Sequence, residues 1–158
     1  HFVAEGYTPM QAGWFLSLAG ASGLVGKVLI AWLGDLVRNR AKWLVVAIIM
    51  LQVLGMSLLI SALDMRSVVY AMILLGCSFG AFLPLHSYLN SRYFDASIIG
   101  QVTGAQMPLF LPLGLVGAPL AGYVFDSTGN YQLVLLALTA LLCVAASLAV
   151  FLPRPRTD

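Results

Sequence analysis

The sequence carries very little charge. Aspartate, glutamate, lysine and arginine make up 9% of its 158 residues, whereas 61% are hydrophobic and the mean hydropathy is +0.96. A soluble domain has roughly 25% charged residues, so this chain cannot cover a surface that faces water, and lipid must contact most of it. Backbone groups in lipid have to bond internally, which permits only helices or closed barrels. The long apolar runs lack the strict alternation of a barrel.

Motifs for catalysis and ligand binding are also missing. The two cysteines, Cys77 and Cys143, lie in apolar runs without CxxC or zinc-ligand spacing. The sequence contains no phosphate-binding loop, nucleophile elbow, catalytic pair or basic-aromatic patch. We therefore expect a protein that is not an enzyme, holds no cofactor or metal ion, and does not bind nucleic acid.

The sequence does contain five apolar windows, each close to the length of about 20 residues that crosses a bilayer. Short polar segments separate them, so the helices must run up and down as antiparallel neighbours. The predicted fold is an all-α integral membrane bundle of five transmembrane helices. The windows cover residues 11–33, 43–63, 68–89, 102–125 and 132–152.

The basic residues predict the orientation, because lysine and arginine are enriched in cytoplasmic loops. In a five-span arrangement one side of the membrane has only Arg66, and all the other basic loop residues lie on the opposite side. These are Arg38, Arg40, Lys42, Arg92, Arg154 and Arg156. We therefore expect a multi-pass protein of the cell membrane (the inner membrane in a bacterium) with a cytoplasmic C-terminus.

Small residues recur at helical spacing, which favours close helix packing. They occur in Gly76-x-x-x-Gly80, Gly100-x-x-x-Gly104 and Gly114-x-x-x-Ala118-x-x-x-Gly122. Prolines in the third and fourth spans predict bends. Bent helices with glycine faces suit a bundle whose parts move, although a static bundle also contains them.

Lys27 is the one formal charge clearly inside a predicted span. Its neighbours at four- and seven-residue steps are small and are expected to pack inward. They are Gly20, Gly23, Ala31 and Gly34. A cation within the membrane is costly and indicates function, and an ammonium group beside a cavity suits a carboxylate. The alternative is a structural role in which the side chain extends to the cytoplasmic interface.

Other polar side chains within the spans are few. His86 shares a helix face with Asn90 and either exchanges protons near neutral pH or acts as a neutral hydrogen-bonding group. Gln106 in the fourth span and Gln52 in the second each line a cavity or bond between helices. Gln106 is favoured for the cavity because prolines follow it on the same helix.

Asp35 ends the first span close to Arg38 and Arg40. A carboxylate beside arginines makes charge-assisted hydrogen bonds, which would hold one conformation of the cytoplasmic side. The simpler interpretation is that the basic residues only set the topology.

Several stretches resemble the major facilitator superfamily of transporters. Ala31–Arg40 is a degraded form of the family loop G-x-x-x-D-[RK]-x-G-R-[RK] that keeps Asp35 and the downstream basic residues. Four further stretches resemble the branch of monocarboxylate porters and oxalate/formate transporters, and the last of them is the most similar. They are Gly6–Gly13, Gly23–Lys27, Gly80–Leu85 and Gly117–Tyr131.

The resemblance implies that the five spans correspond to helices eight to twelve. Residues 1–158 would then be an incomplete C-terminal half, whose partner is the missing N-terminal half of the same transporter. It also implies secondary active transport of a small organic anion, a monocarboxylate taken up with a proton, by alternating access. The other class that we consider is a membrane bundle that transports nothing, such as a receptor or an assembly subunit.

The resemblance also assigns roles to residues. Lys27 stands where that branch has an arginine that contacts the substrate carboxylate. The dicarboxylate-binding branch has a second cation, a lysine in helix eleven. The fourth span here has no lysine, which either favours a monoanion or leaves the second contact to the missing half. The expected cavity-lining residues are His86, Asn90 and Gln106, and the expected gating residues are Asp35, Arg38 and Arg40.

Overall fold

The fold consists of α-helices. The computed structural model describes residues 2–36, 41–62 and 64–153, with only the backbone described for Asp35, Leu36 and Leu113. No β-strand is present in these ranges. The helices are α1 (Pro9–Leu36), α2 (Ala41–Ile60), α3 (Met65–Tyr93), α4 (Ile99–Thr128) and α5 (Gln132–Val150).

All five helices are long and apolar enough to cross a membrane. The predicted all-α membrane bundle is therefore confirmed. The helices α1, α3 and α4 extend beyond the predicted windows at both ends, while α2 and α5 end two or three residues before the predicted window does.

The start of α1 is fixed by a capping box. The Thr8 hydroxyl accepts a hydrogen bond from the backbone N–H of Gln11 at 3.2 Å, and the Thr8 N–H donates to the Gln11 side chain at 2.9 Å. Pro9, the first residue of the helix, has a φ suited to that position and no N–H to satisfy. Tyr7 packs edge-on against the buried ring of Phe15 at 5.3 Å. The first of the family-like stretches is therefore a helix-start signal.

Side-chain and backbone caps bound other helices. The carboxylate of Asp64, just before α3, accepts hydrogen bonds from the hydroxyl and the N–H of Ser67, and these bonds lower the pKa of Asp64. Gly129 ends α4 in the left-handed conformation, with φ +74°, and its N–H donates to the Phe125 carbonyl at 2.7 Å.

The helices α1 and α3 are in backbone contact. A Cβ atom added to Gly76 would collide with the backbone of Ala19, and one added to Gly80 would collide with the backbone of Gly23. Only glycine permits such a close approach. The predicted packing role of Gly76-x-x-x-Gly80 is therefore confirmed.

Two apolar clusters set the helix directions. One cluster joins the first halves of α1 and α3 to the end of α2 through Phe15, Leu59, Val68, Ala71 and Met72. The other joins their second halves to the start of α2 through Ile30, Leu44, Ile48, Ala81 and Leu85. Because low-numbered residues of α1 meet low-numbered residues of α3 and the end of α2, α1 and α3 run parallel and α2 runs antiparallel to both.

The helix α4 is attached much more loosely than α3. None of its described side chains is buried, and a Cβ at any of its five glycines would meet nothing within 4 Å. The close packing expected of its two glycine stretches therefore stays a prediction. The helix α5 packs against α2, and the Tyr93 hydroxyl donates to the Pro153 carbonyl at 2.8 Å, so α3 and α5 end on the same side.

The alternation of helix directions places the described basic residues on opposite ends of the bundle. Lys42 begins α2 and Arg92 ends α3 at one end, whereas Arg66 begins α3 at the other. Two described loop cations therefore lie at one end and one at the other, and the cytoplasmic orientation of the first of these ends stays a prediction. The remaining basic loop residues, Arg38, Arg40, Arg154 and Arg156, lie outside the described ranges.

The contact between α1 and α3 is testable by adding one methyl group. We expect Gly80→Ala to lower the melting temperature of the detergent-solubilised protein, because inserting a methyl group into a tight contact costs about 1–3 kcal/mol. Gly13→Ala is the matched control, since its Cβ would meet nothing within 4 Å and alanine favours the helix equally at both sites. Equal melting temperatures for the two variants would contradict the close approach.

Candidate functional site

Lys27 extends from α1 into a cavity of about 660 Å³ between α1, α2 and α3. Ligand pockets of this class measure roughly 300–1,000 Å³. Most of the described lining is apolar and comes from small residues, methionines, leucines and two phenylalanines. The polar exceptions in that lining are Lys27 and Gln52.

The glycines of α1 explain the position of Lys27. Gly23 and Gly26 are buried against the backbone of α3. The expected inward-packing face is thus only partly buried, because Gly23 and Gly34 are buried whereas Gly20 and Ala31 are exposed. Lys27 itself is exposed and projects from the edge of the contact into the cavity. Among the described residues Lys27 has no ion-pair or hydrogen-bond partner. Its ammonium group is thus open to a ligand.

Asn90 and Gln106 form a reciprocal amide pair that joins α3 to α4. The Asn90 amide nitrogen donates to the Gln106 carbonyl oxygen at 2.9 Å, and the Gln106 nitrogen donates back to the Asn90 oxygen at 3.3 Å. Asn90 also donates to the Thr103 hydroxyl at 3.2 Å. Asn90 is only 4% exposed, so these bonds satisfy a carboxamide that would otherwise be costly to bury.

His86 lies one helical turn from Asn90, among aromatic rings. Its imidazole is stacked on Phe82 at 6.3 Å between ring centroids and meets the Phe110 ring edge-on at 6.0 Å. Phe110 belongs to α4, so the rings form a second layer of the α3–α4 junction beside the amide layer. Phe82 also lines the Lys27 cavity and therefore connects that cavity to the α3–α4 junction.

The predicted binding residues thus fall into two groups. Lys27 faces the cavity between α1, α2 and α3, whereas His86, Asn90 and Gln106 lie at the α3–α4 junction and outside the described lining of that cavity.

The sequence offers Gln52 as well as Gln106 for a place in the cavity, and the structure places Gln52 in the cavity with Lys27. The sequence signal for Gln52 is a lone carboxamide in the middle of an otherwise apolar stretch, Val45–Met56. Which carboxamide pairs with another helix depends on which helix faces meet, and Gln106 pairs with Asn90.

The expected gating residues are described only in part. The backbone of Asp35 belongs to the last turn of α1, and nothing is described of its side chain. Arg38 and Arg40 lie outside the described residues. For metal ions, the described part of the chain brings together no group of three histidine, cysteine, aspartate or glutamate side chains that could hold one.

Curated proteins similar to this chain are transporters. Monocarboxylate transporter 13 of Rattus norvegicus is 30% identical over 158 residues, and monocarboxylate transporter 13 of Bos taurus is 32% identical over 159 residues. Each match covers 98% of this chain and 37% of the relative. The multidrug efflux pump Tap of Mycolicibacterium fortuitum is 27% identical over 148 residues, which cover 94% of this chain and 36% of the pump.

No family model matches the chain, and no solved structure matches it. The chain spans little more than a third of the length of the curated relatives that it matches. Those relatives are transporters of the major facilitator type, and they include the monocarboxylate transporters that the sequence motifs resemble. The chain is therefore a homologue of the major facilitator superfamily transporters.

Proposed function

We propose that the full-length protein carries a small organic anion, a monocarboxylate, across the cell membrane by alternating access. The observation that carries the proposal is Lys27, a cation without a described partner that faces a largely apolar cavity within a membrane bundle. The names of the rat and bovine relatives agree with this substrate class, and all the relatives quoted above are transporters.

Lys27 is proposed to bind the substrate carboxylate. A charged group within the bilayer is costly unless it is paired or hydrated, and a carboxylate entering the cavity would pair with the ammonium group. The described lining contains one cation and no anion, so a single carboxylate balances its charge. If the bound substrate displaces water from the cavity, this ion pair will be stronger than the same pair in solution.

Alternating access requires elements that move against one another around a central site. The loosely attached α4, held to α3 by the amide pair and by the rings around His86, is a suitable moving element. We further propose that Asn90, His86 and Gln106 line the substrate path in one of the alternating states. Asp35, Arg38 and Arg40 would stabilise the closed cytoplasmic side, and the C-terminus would be cytoplasmic.

Replacing Lys27 tests the binding role. We expect Lys27→Gln to abolish uptake of pyruvate by proteoliposomes that contain the full-length protein, because the carboxylate loses its counter-ion. Insertion and melting temperature should stay unchanged, since the side chain is exposed at the edge of the helix contact.

The matched control is Lys42→Gln, which removes a lysine at the start of α2 whose ammonium group lies over the Trp43 ring. This variant should retain uptake. Undiminished uptake by Lys27→Gln would show that Lys27 does not bind substrate.

We also propose that the monocarboxylate is taken up together with a proton. Uptake of pyruvate should rise several-fold when the outside is made more acidic than the lumen, and a protonophore should remove the increase. If His86 exchanges the proton, His86→Gln will transport without responding to the gradient; if the response persists, His86 is a neutral residue of the path. Uptake that ignores the gradient in the wild-type protein would contradict proton coupling.

A further inference from the structure

Three carboxamides within the helices, those of Gln52, Asn90 and Gln106, differ in their hydrogen bonds. Asn90 and Gln106 satisfy each other across the α3–α4 junction. Gln52 of α2 has no hydrogen-bond partner among the described residues. An unpaired carboxamide in a membrane bundle is costly because lipid offers no hydrogen bonds. Gln52 is therefore the carboxamide with capacity left for a ligand.

Gln52 also lies in the right place, since it lines the same cavity as Lys27. Lys27 comes from α1 and Gln52 from α2, so two different helices supply the polar groups of the described lining. Between them the cavity is bounded by α3, which contributes the apolar side chains of Met72, Phe79 and Phe82. A ligand in the cavity would meet a cation, a neutral amide and an apolar wall.

We propose that Gln52 is a second substrate-binding residue and that the substrate is a monocarboxylate whose apolar body carries one neutral hydrogen-bonding group, such as a hydroxyl. The inference rests on the proposed function, since Lys27 must hold the carboxylate. A carboxamide both donates and accepts, so it can bond a hydroxyl in either sense. A second carboxylate on the substrate would have no cation and would lie against apolar side chains, which disfavours dicarboxylates.

The apolar wall accounts for the body of the substrate. The exposed ring of Phe79 and the half-exposed ring of Phe82 face the cavity together with Met72. Aromatic and thioether side chains favour aromatic or bulky aliphatic partners. A two- or three-carbon acid bound at Lys27 would leave most of this surface without contact, so larger acids should bind more tightly.

Acids that differ by one hydroxyl provide the test. The probes are 3-phenylpropionate, which lacks a hydroxyl, and its hydroxylated relatives 3-phenyllactate and 3-(4-hydroxyphenyl)propionate, with pyruvate as a small reference acid. Uptake is measured in proteoliposomes with the full-length protein. We expect the wild type to prefer at least one hydroxylated acid over 3-phenylpropionate by on the order of tenfold, which corresponds to one net hydrogen bond.

The variant Gln52→Leu should remove this preference while it still transports 3-phenylpropionate, because the carboxylate site is intact. Gln101→Leu is the matched control, since Gln101 is an exposed residue in the first turn of α4, and it should keep the wild-type preference. Gln52→Asn, which retains the amide on a shorter chain, should give an intermediate preference. Thermal stabilisation of the purified variants by each acid provides a second readout that does not depend on transport.

The outcomes separate the inference from the proposed function. If Gln52→Leu keeps the wild-type preference, or the wild type shows none, Gln52 does not bind substrate although Lys27-dependent transport stands. The same holds if pyruvate is transported and none of the larger acids is. If no acid is transported and none stabilises the protein, the proposed function itself fails. If the melting temperature of Gln52→Leu is lower than that of the wild type by the same amount with every acid, Gln52 pairs with another part of the protein. The inference is then wrong.

Discussion

The backbone contact between α1 and α3 is the constraint on which the rest of the bundle depends. Gly23 and Gly26 on one helix and Gly76 and Gly80 on the other bring the two backbones together. In lipid no hydrophobic effect drives helices together, so van der Waals contact over such glycine faces supplies much of the attraction. The two apolar clusters then place α2 against this pair, and the cavity lies between the three helices.

The same contact determines the environment of Lys27. Small neighbours let α1 approach α3, and this approach leaves the long side chain at the edge of the interface, where the cavity opens. A Cβ atom at Gly26 would collide with the backbone of Cys77, so a larger residue there would force the two helices apart. The packing of the bundle and the position of its cation therefore have one cause.

Much of the fold could be predicted from the sequence, because apolar windows and basic loops report on single helices and their direction. The helix count and the closeness of Gly76 and Gly80 follow from such local patterns. The hydrogen-bond partners of polar side chains do not follow from local patterns, because they depend on which helix faces meet in the bundle. The prolines of the fourth span favour Gln106 for the cavity, yet Gln106 pairs with Asn90, whereas Gln52 lines the same cavity as Lys27. The capping box at the start of α1 follows from the spacing of Thr8 and Gln11, which is a local pattern of the sequence.

The central claim is that Lys27 binds a carboxylate in the cavity between α1, α2 and α3. A structure of the full-length protein determined by electron cryo-microscopy with a bound monocarboxylate tests it most directly. The account predicts a carboxylate oxygen at about 2.7–2.9 Å from the Lys27 ammonium nitrogen, with α1 and α3 still in contact at their glycines. A carboxylate bound elsewhere, with the Lys27 ammonium group at the lipid headgroups, would contradict it.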